Sequence, residues 1–231
     1  MSSANPNPAP ACAVAIFVKT PGHSPIKTRL AAVLGRETAE DWHRRAAACV
    51  AEVGGAAGLP IYWAVAEAGG LDHPLWRNLP RIGQPEGSLG LRMAGVHTAL
   101  VRRHGSAILV GADLPQLEPH HLRFAADWLT GEASRSVLGP AHDGGFWLFG
   151  ANHAIDAGTW DSVRYSRSDT AREFLRSVDT ECAWEMLEPL TDLDEPDDLG
   201  RVLAELRAIN EPLPCQRRLI DWLAQCLERA A

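Results

Sequence analysis

Four stretches of this 231-residue chain carry side chains whose types and spacing could do chemistry. The first is Lys19-Thr20-Pro21-Gly22-His23-Ser24-Pro25-Ile26-Lys27-Thr28-Arg29-Leu30, which places three cations within eleven positions and leads into a helical pattern. Lys27 and Arg29 fall near the first turn, where positive side chains oppose the helix dipole unless an anion is present. A helix N-terminus flanked by Lys and Arg can bind phosphate; the plain alternative is a solvated basic turn. Gly22, four residues and Lys27-Thr28 half-match a P-loop. Ile26 stands where that motif needs glycine for close backbone approach, so the P-loop is rejected.

The second stretch is Gly111-Ala112-Asp113-Leu114-Pro115. A carboxylate just past an apolar strand can hold Mg²⁺ (or Mn²⁺), which takes one or two carboxylates plus substrate phosphates; the alternative is an Asp turn before proline. The third, Gly139 to Phe146, contains Asp143, Gly144 and Gly145. Paired glycines admit a ligand close to the backbone, yet Asp-Gly is also the strongest hairpin signal. The fourth is Thr191-Asp192-Leu193-Asp194-Glu195-Pro196-Asp197-Asp198. Here Asp194 either caps a helix, with Asp197 completing a box-like arrangement, or joins Asp192 as a second carboxylate for a metal held by Asp113.

Two further segments carry weaker signals. Gln84-Pro85-Glu86-Gly87-Ser88-Leu89-Gly90-Leu91-Arg92 begins a helix and could present Gln84, Glu86, Gly90 and Arg92 to a base or an acceptor. Tyr165-Ser166-Arg167-Ser168 could place Ser166 against the acceptor, or simply start a helix. The nine histidines show no zinc-ligand spacing. Neither GxSxG nor GxGxxG occurs, so hydrolase and dinucleotide readings lack a signature.

Positioning these loops requires alternating strands and helices. Residues 11–18, 60–66 and 106–111 are short apolar runs that predict buried strands. Extended pieces are expected at 79–87, 135–140, 145–150 and 183–190. Helical spacing covers 27–34, 38–53, 88–104 and 118–130, with Ser168 as N-cap of a helix through Val178. Further helices are expected at about 195–208 and 214–229. The alternation predicts a single α/β domain over residues 11–231, with a mixed, mainly parallel sheet covered by helices on both faces, behind a loose tail at 1–10. In such sheets ligands sit beyond the carboxyl ends of the strands. The loops after 18, 83, 111, 140 and 190 are therefore the candidates.

Composition narrows the partners. Apolar residues make up 46% and charged residues 22%, ordinary for a globular chain. Lys plus Arg is 22 against 29 Asp plus Glu, for a net charge of −7, which disfavours nucleic acid. The five cysteines are scattered and never spaced C-x-x-C, so a reducing cytoplasm fits. No apolar run is long enough to cross a membrane. The expected partners are a small-molecule nucleotide and an acceptor, and a homo-oligomer is compatible with the chain.

In order, KTPGHSPIKTRL, QPEGSLGLRM, ILVGADLPQL, GPAHDGGFWLFG and DLDEPDDL make the chain resemble the DUF2064 family, also called radical-SAM/selenodomain-associated transferase 1. The resemblance covers about residues 12–205. That family is similar to the GT-A-fold nucleotide-diphospho-sugar transferase superfamily. More distantly, it resembles the guanylyltransferases that activate phospholactate and the nucleotidyltransferases of molybdenum-cofactor synthesis. The resemblance implies that Lys19, Lys27, Thr28 and Arg29 face phosphates and that Asp113 binds a divalent metal with Asp192 and Asp194. It also implies that Asp143, Gly144 and Gly145 line the acceptor side. Two departures stand out: the first loop lacks a Gly-rich backbone, and Glu195 occupies a position often held by Thr. The activity expected is Mg²⁺-dependent nucleotidyl transfer, with Lys27, Asp113 and Asp143 at the reacting groups. Glycosyl transfer from a nucleotide-sugar is the alternative and a non-catalytic nucleotide-binding module the lesser one.

Overall fold

The computed structural model describes residues 12–178 and 181–230. The tail expected at 1–10 lies outside them, as does Ala11. Seven strands form: β1 (Ala13–Val18), β2 (Ile61–Val65), β3 (Arg81–Gly83), β4 (Ala107–Gly111), β5 (Arg135–Pro140), β6 (Phe146–Ala151) and β7 (Ala183–Met186). They build one sheet in the order β3-β2-β1-β4-β6-β5-β7. All neighbours pair in parallel except β6, which runs antiparallel to β4 and β5. The sheet is thus mixed and mainly parallel, as the alternation of elements predicts.

The helices are α1 (Thr28–Leu34), α2 (Arg36–Ala57), α3 (Leu89–His104), α4 (Pro119–Trp128), α5 (Ala157–Ser162), α6 (Thr170–Ser177), α7 (Asp198–Ala208) and α8 (Pro214–Ala230). Side chains alternate along β1, so Val14, Ile16 and Val18 face α2 and α4 through Val50, Val53, Leu122 and Ala125. Ala13 and Ala15 face the other way, toward Met93, Val96 and Leu100 of α3, with Trp160 and Phe174 beyond. Both faces of the sheet are therefore covered. A third cluster lies away from the sheet, between helices and the segment before α7: Leu30 and Trp42 pack with Leu193, Leu199, Leu206, Leu219 and Leu223.

Several boundaries differ from the sequence expectations. The last strand ends at Met186 rather than 190 because Pro189 has no N–H to give the ladder. Only a single bridge, Ala141 to Leu190, resumes the pairing. Ser168 does not cap α6: Asp169 holds the N-cap position without a side-chain bond, and the Thr170 hydroxyl accepts the Arg167 N–H at 3.1 Å. The helix expected at 38–53 runs from Arg36 to Ala57 and is continued by Ala-rich packing on the sheet. The helix α5 and two short 3₁₀ turns, Ala68–Gly70 and Pro74–Trp76, were not expected. Among the described residues, no helix is long and apolar enough to cross a membrane.

Candidate active site

Strands β1, β4 and β5 all point their carboxyl ends to one edge of the sheet, and the chemistry-bearing loops gather there. Ile26, buried at 6% exposure, anchors the first loop. The next residue, Lys27, adopts left-handed backbone angles (φ 42, ψ 54) at the N-cap of α1. A side chain with a Cβ rarely takes that conformation, and here it turns Lys27 inward.

The Lys27 ammonium meets three carboxylates. Its Nζ lies 2.6 Å from Asp194 Oδ1, 3.0 Å from Asp113 Oδ2 and 3.3 Å from Asp192 Oδ1. The Lys27 side chain is only 7% exposed. Asp113 is placed by buried neighbours, Ala112 and Leu114, immediately after β4. Asp192 and Asp194 flank Leu193, which is fully buried, so the two acids share the opposite side of an extended segment. Capping falls to a different residue from the one expected: Asp198 Oδ2 accepts the N–H groups of Asp194 (3.1 Å) and Glu195 (2.9 Å). Asp197 sits at the N-cap of α7 without a side-chain bond. The Asp194 carboxylate is thereby left for Lys27.

His43 was not singled out by sequence reasoning. It lies on the apolar side of α2 beside Ala39, Trp42 and Ala46, and is buried. Its Nδ1 is 3.3 Å from Asp113 Oδ1 and its Nε2 is 3.0 Å from the Lys19 carbonyl. A buried polar ring needs partners, and these two tie α2 to the Asp113 carboxylate and to the first loop. The available signal was a single histidine interrupting the apolar stripe of α2.

The charges set the ionisation of the cluster. Burial works against the charged form of Lys27, but Asp113, Asp192 and Asp194 more than compensate and hold it firmly protonated. Burial alone would raise Asp113, yet Lys27 and then His43 keep it well below the usual carboxylate range. Asp192 goes the other way: burial pushes it up, Lys27 offsets part of that, and Asp113 and Asp194 add repulsion, leaving it at about 7. Three acids around one ammonium are short of positive charge.

A cleft of ≈ 230 Å³ opens beside this cluster. Asp192, Asp194 and Glu195 line it together with Arg29, His142, Asp143 and Arg201. Arg29 pairs with Glu195 at 3.1 Å, so the departure at position 195 has a cation of its own. Asp143 tops a true hairpin between β5 and β6, with its Oδ1 accepting the Gly145 N–H at 2.9 Å. Gly144 has φ +91, and a Cβ there would come within 2.1 Å of the Ser168 carbonyl oxygen. The loop is thus a hairpin, and of its residues His142 and Asp143 line the cleft.

Other expected site residues lie apart. Lys19 and Thr28 are exposed on the same loop as Lys27. Gln84 donates its side-chain amide to the Ala64 carbonyl at 2.9 Å, and Arg92 donates to the Gly87 carbonyl at 3.1 Å. Glu86 is exposed. Gly90 is buried against α5, where a Cβ would lie 2.3 Å from the Trp160 carbonyl oxygen, so its role there is packing. Ser166 is exposed with φ 60. The loop around it backs the hairpin through Ser168 rather than joining the acids.

The donor set fits a hard divalent cation. All its donors are carboxylate oxygens, from two separate parts of the chain, and they meet around the Lys27 ammonium. A second group, His120, His121 and Glu188, brings potential ligand atoms within 4.8 Å of one another. His121 Nδ1 accepts the Glu118 N–H at 3.0 Å, so Nε2 carries the proton and donates it to Glu188 at 2.7 Å. His121 thereby closes the capping box of α4 with Glu118, and a metal on its Nε2 would have to break that bond.

Comparison with known proteins adds the following. The DUF2064 family model, described as an uncharacterized protein conserved in bacteria, matches residues 29–167. Curated proteins give no match. Among solved structures, the chain is similar to a protein proposed to be a nucleotide-diphospho-sugar transferase from Desulfovibrio desulfuricans G20. The identity is 19% and the TM-score 0.78, with 95% of this chain and 97% of that chain covered. A nucleotidyl transferase from Methanothermobacter thermautotroptrophicus matches at 10% identity and TM-score 0.54, covering 86% and 99%. The 4-diphosphocytidyl-2C-methyl-D-erythritol synthase from Anaerococcus prevotii DSM 20548 matches at 10% identity and TM-score 0.53, covering 85% and 96%. At such identities the likeness is one of fold.

Proposed function

The chain belongs to the DUF2064 family, and from that premise we propose that it is a metal-dependent transferase moving a nucleotidyl group from a nucleoside triphosphate to a small phosphorylated or otherwise anionic acceptor. The observation that carries this reading is the meeting of Lys27 with Asp113, Asp192 and Asp194 at the ligand edge of the sheet. Asp113, Asp192 and Asp194 would hold Mg²⁺ or Mn²⁺. Once bound, such an ion supplies charge neutralisation at the α-phosphate. Lys19, Lys27 and Arg29 would bind the remaining phosphates, so that the leaving pyrophosphate departs against fixed positive charge. Because the first loop is not Gly-rich, this grip rests on side chains. Asp143 lines the cleft together with His142 and Arg201; on this reading Asp143, Gly144 and Gly145 would face the acceptor, and Arg201 would supply a cation for an anionic one. Holding both substrates in one cleft converts a bimolecular encounter into a local reaction.

A second reading is glycosyl transfer from a nucleotide-sugar. It is favoured by one feature: the Asp143 carboxylate shares the cleft with the metal-side acids, where it could take a proton from an acceptor hydroxyl. The two readings separate in one assay. The protein is incubated with Mg²⁺ and each nucleoside triphosphate or nucleotide-sugar, and thermal shift is followed together with release of pyrophosphate or nucleoside diphosphate. Mg²⁺-dependent stabilisation by a triphosphate is the result expected. Stabilisation by sugar nucleotides alone would select glycosyl transfer. Metal-independent binding without turnover would reduce the protein to a binding module.

A further inference from the structure

The Lys27 ammonium occupies the very point at which a cation held by the three acids would sit. Its Nζ is 2.6, 3.0 and 3.3 Å from oxygens of Asp194, Asp113 and Asp192. A divalent ion bound through those oxygens lies about 2.0–2.6 Å from each. On the ammonium's side of those oxygens such an ion would be in direct contact with it, and two cations do not share one such cage. We infer that Lys27 is an internal competitor for the divalent-metal site: it must leave the carboxylates for the metal to enter, and the freed ammonium then serves the donor phosphates. This rests on the reading that the acids hold a metal, and it adds an order of events to that reading.

Three further observations point the same way. At the N-cap of α1 the Lys27 carbonyl accepts the Ala31 N–H at 2.8 Å, but its side chain makes no capping bond and turns to the acids instead. The left-handed backbone there is one that a residue with a Cβ seldom adopts. The cluster is short of positive charge with one ammonium in it, so a divalent ion suits the three acids better than Lys27 does. Finally, Lys27 is a flexible four-carbon stem two residues before Arg29, which already lines the cleft. A modest swing carries the ammonium from the acids to the side where phosphates would lie.

The test measures Mn²⁺ alone, without nucleotide. Wild type and Lys27→Met are titrated with Mn²⁺, and the free ion is read by electron paramagnetic resonance. Lys27→Met is expected to bind Mn²⁺ at least tenfold more tightly than wild type. It should also melt lower in EDTA and gain more from Mn²⁺. In the wild-type protein, the extent of Lys27 modification by an amine-reactive reagent is read by mass spectrometry in EDTA and in saturating Mn²⁺. A several-fold rise with Mn²⁺ is expected, and this arm decides the matter if Lys27→Met fails to fold. If wild type binds Mn²⁺ while Lys27→Met binds no tighter and labelling is unchanged, the competition is overturned and the metal reading stands. If neither folded protein binds Mn²⁺, the metal reading falls and the competition with it.

Discussion

Replacing Asp113 with Asn is the most informative single change in the protein. At 3.0 Å from the Lys27 ammonium, the lost attraction is about 5–6 kcal/mol in gross terms at an effective dielectric near 20. Two effects offset most of it. The buried carboxylate no longer has to be desolvated, and its repulsion against Asp192 and Asp194 disappears. Lys27 also keeps those two partners. A net loss of about 2 kcal/mol follows, or a fall in Tm of roughly 4–8 °C for a domain of this size. The assay is thermal unfolding in EDTA, repeated with Mn²⁺ and with Mn²⁺ plus each nucleoside triphosphate. Asp113→Asn should melt lower in EDTA and lose the metal-dependent gain. Asp192→Asn should separate the two effects. It removes the acid that burial and its neighbours raise to about 7, so its metal-free Tm should not fall, while Mn²⁺ binding still weakens. The reasoning is refuted if Asp113→Asn melts within about 1 °C of wild type and retains metal-dependent stabilisation by nucleotide.

His97 gives a pH prediction. It is fully buried against Phe149 and Trp160, and burial, with His153 nearby, lowers it from 6.5 to about 3. The unfolded chain therefore binds one more proton than the folded one between those values. Stability should drop as pH falls from 6.5 toward 3, by about 1.4 kcal/mol per unit from this group, and pH-dependent melts of His97→Phe should show that much less slope. Gly144→Ala should cost more than about 2 kcal/mol by denaturant titration, because φ +91 and the Ser168 carbonyl both exclude a Cβ. Arg29→Ala removes an exposed pair with Glu195 and should change stability by less than about 1 kcal/mol. Its weakened stabilisation by triphosphate would show in thermal shift.

The central strands were legible because continuous apolar runs bounded by Pro and Gly have few other uses. The end of each run then located Lys27, Asp113, Asp192 and Asp194 at the ligand edge. Four things were not legible. The direction of β6 depends on a five-residue hairpin whose sequence also suits a ligand loop, and only pairing decides. Asp198 rather than Asp194 caps the segment before α7, because the four acids on either side of Pro196 offer several bonding geometries that local sequence does not rank. That Lys27 enters the cluster rather than facing it across a gap follows from one left-handed residue, which local sequence does not announce for a lysine. His43 reads as core until the fold brings Asp113 beside it.

Leu30 follows Lys27 by one helical turn, and Leu193 separates Asp192 from Asp194; both belong to the cluster formed with α2, α7 and α8. Opposing charges of the site are thus bolted to one chassis that contributes few reactive groups itself. A chimaera that imported new C-terminal helices would re-aim Lys27, Asp192 and Asp194 together, whereas one that exchanged sheet-facing residues alone would keep their spacing. Drift in remote leucines such as Leu219 or Leu223 would accordingly be felt first as altered geometry among polar groups far from the mutated side chains.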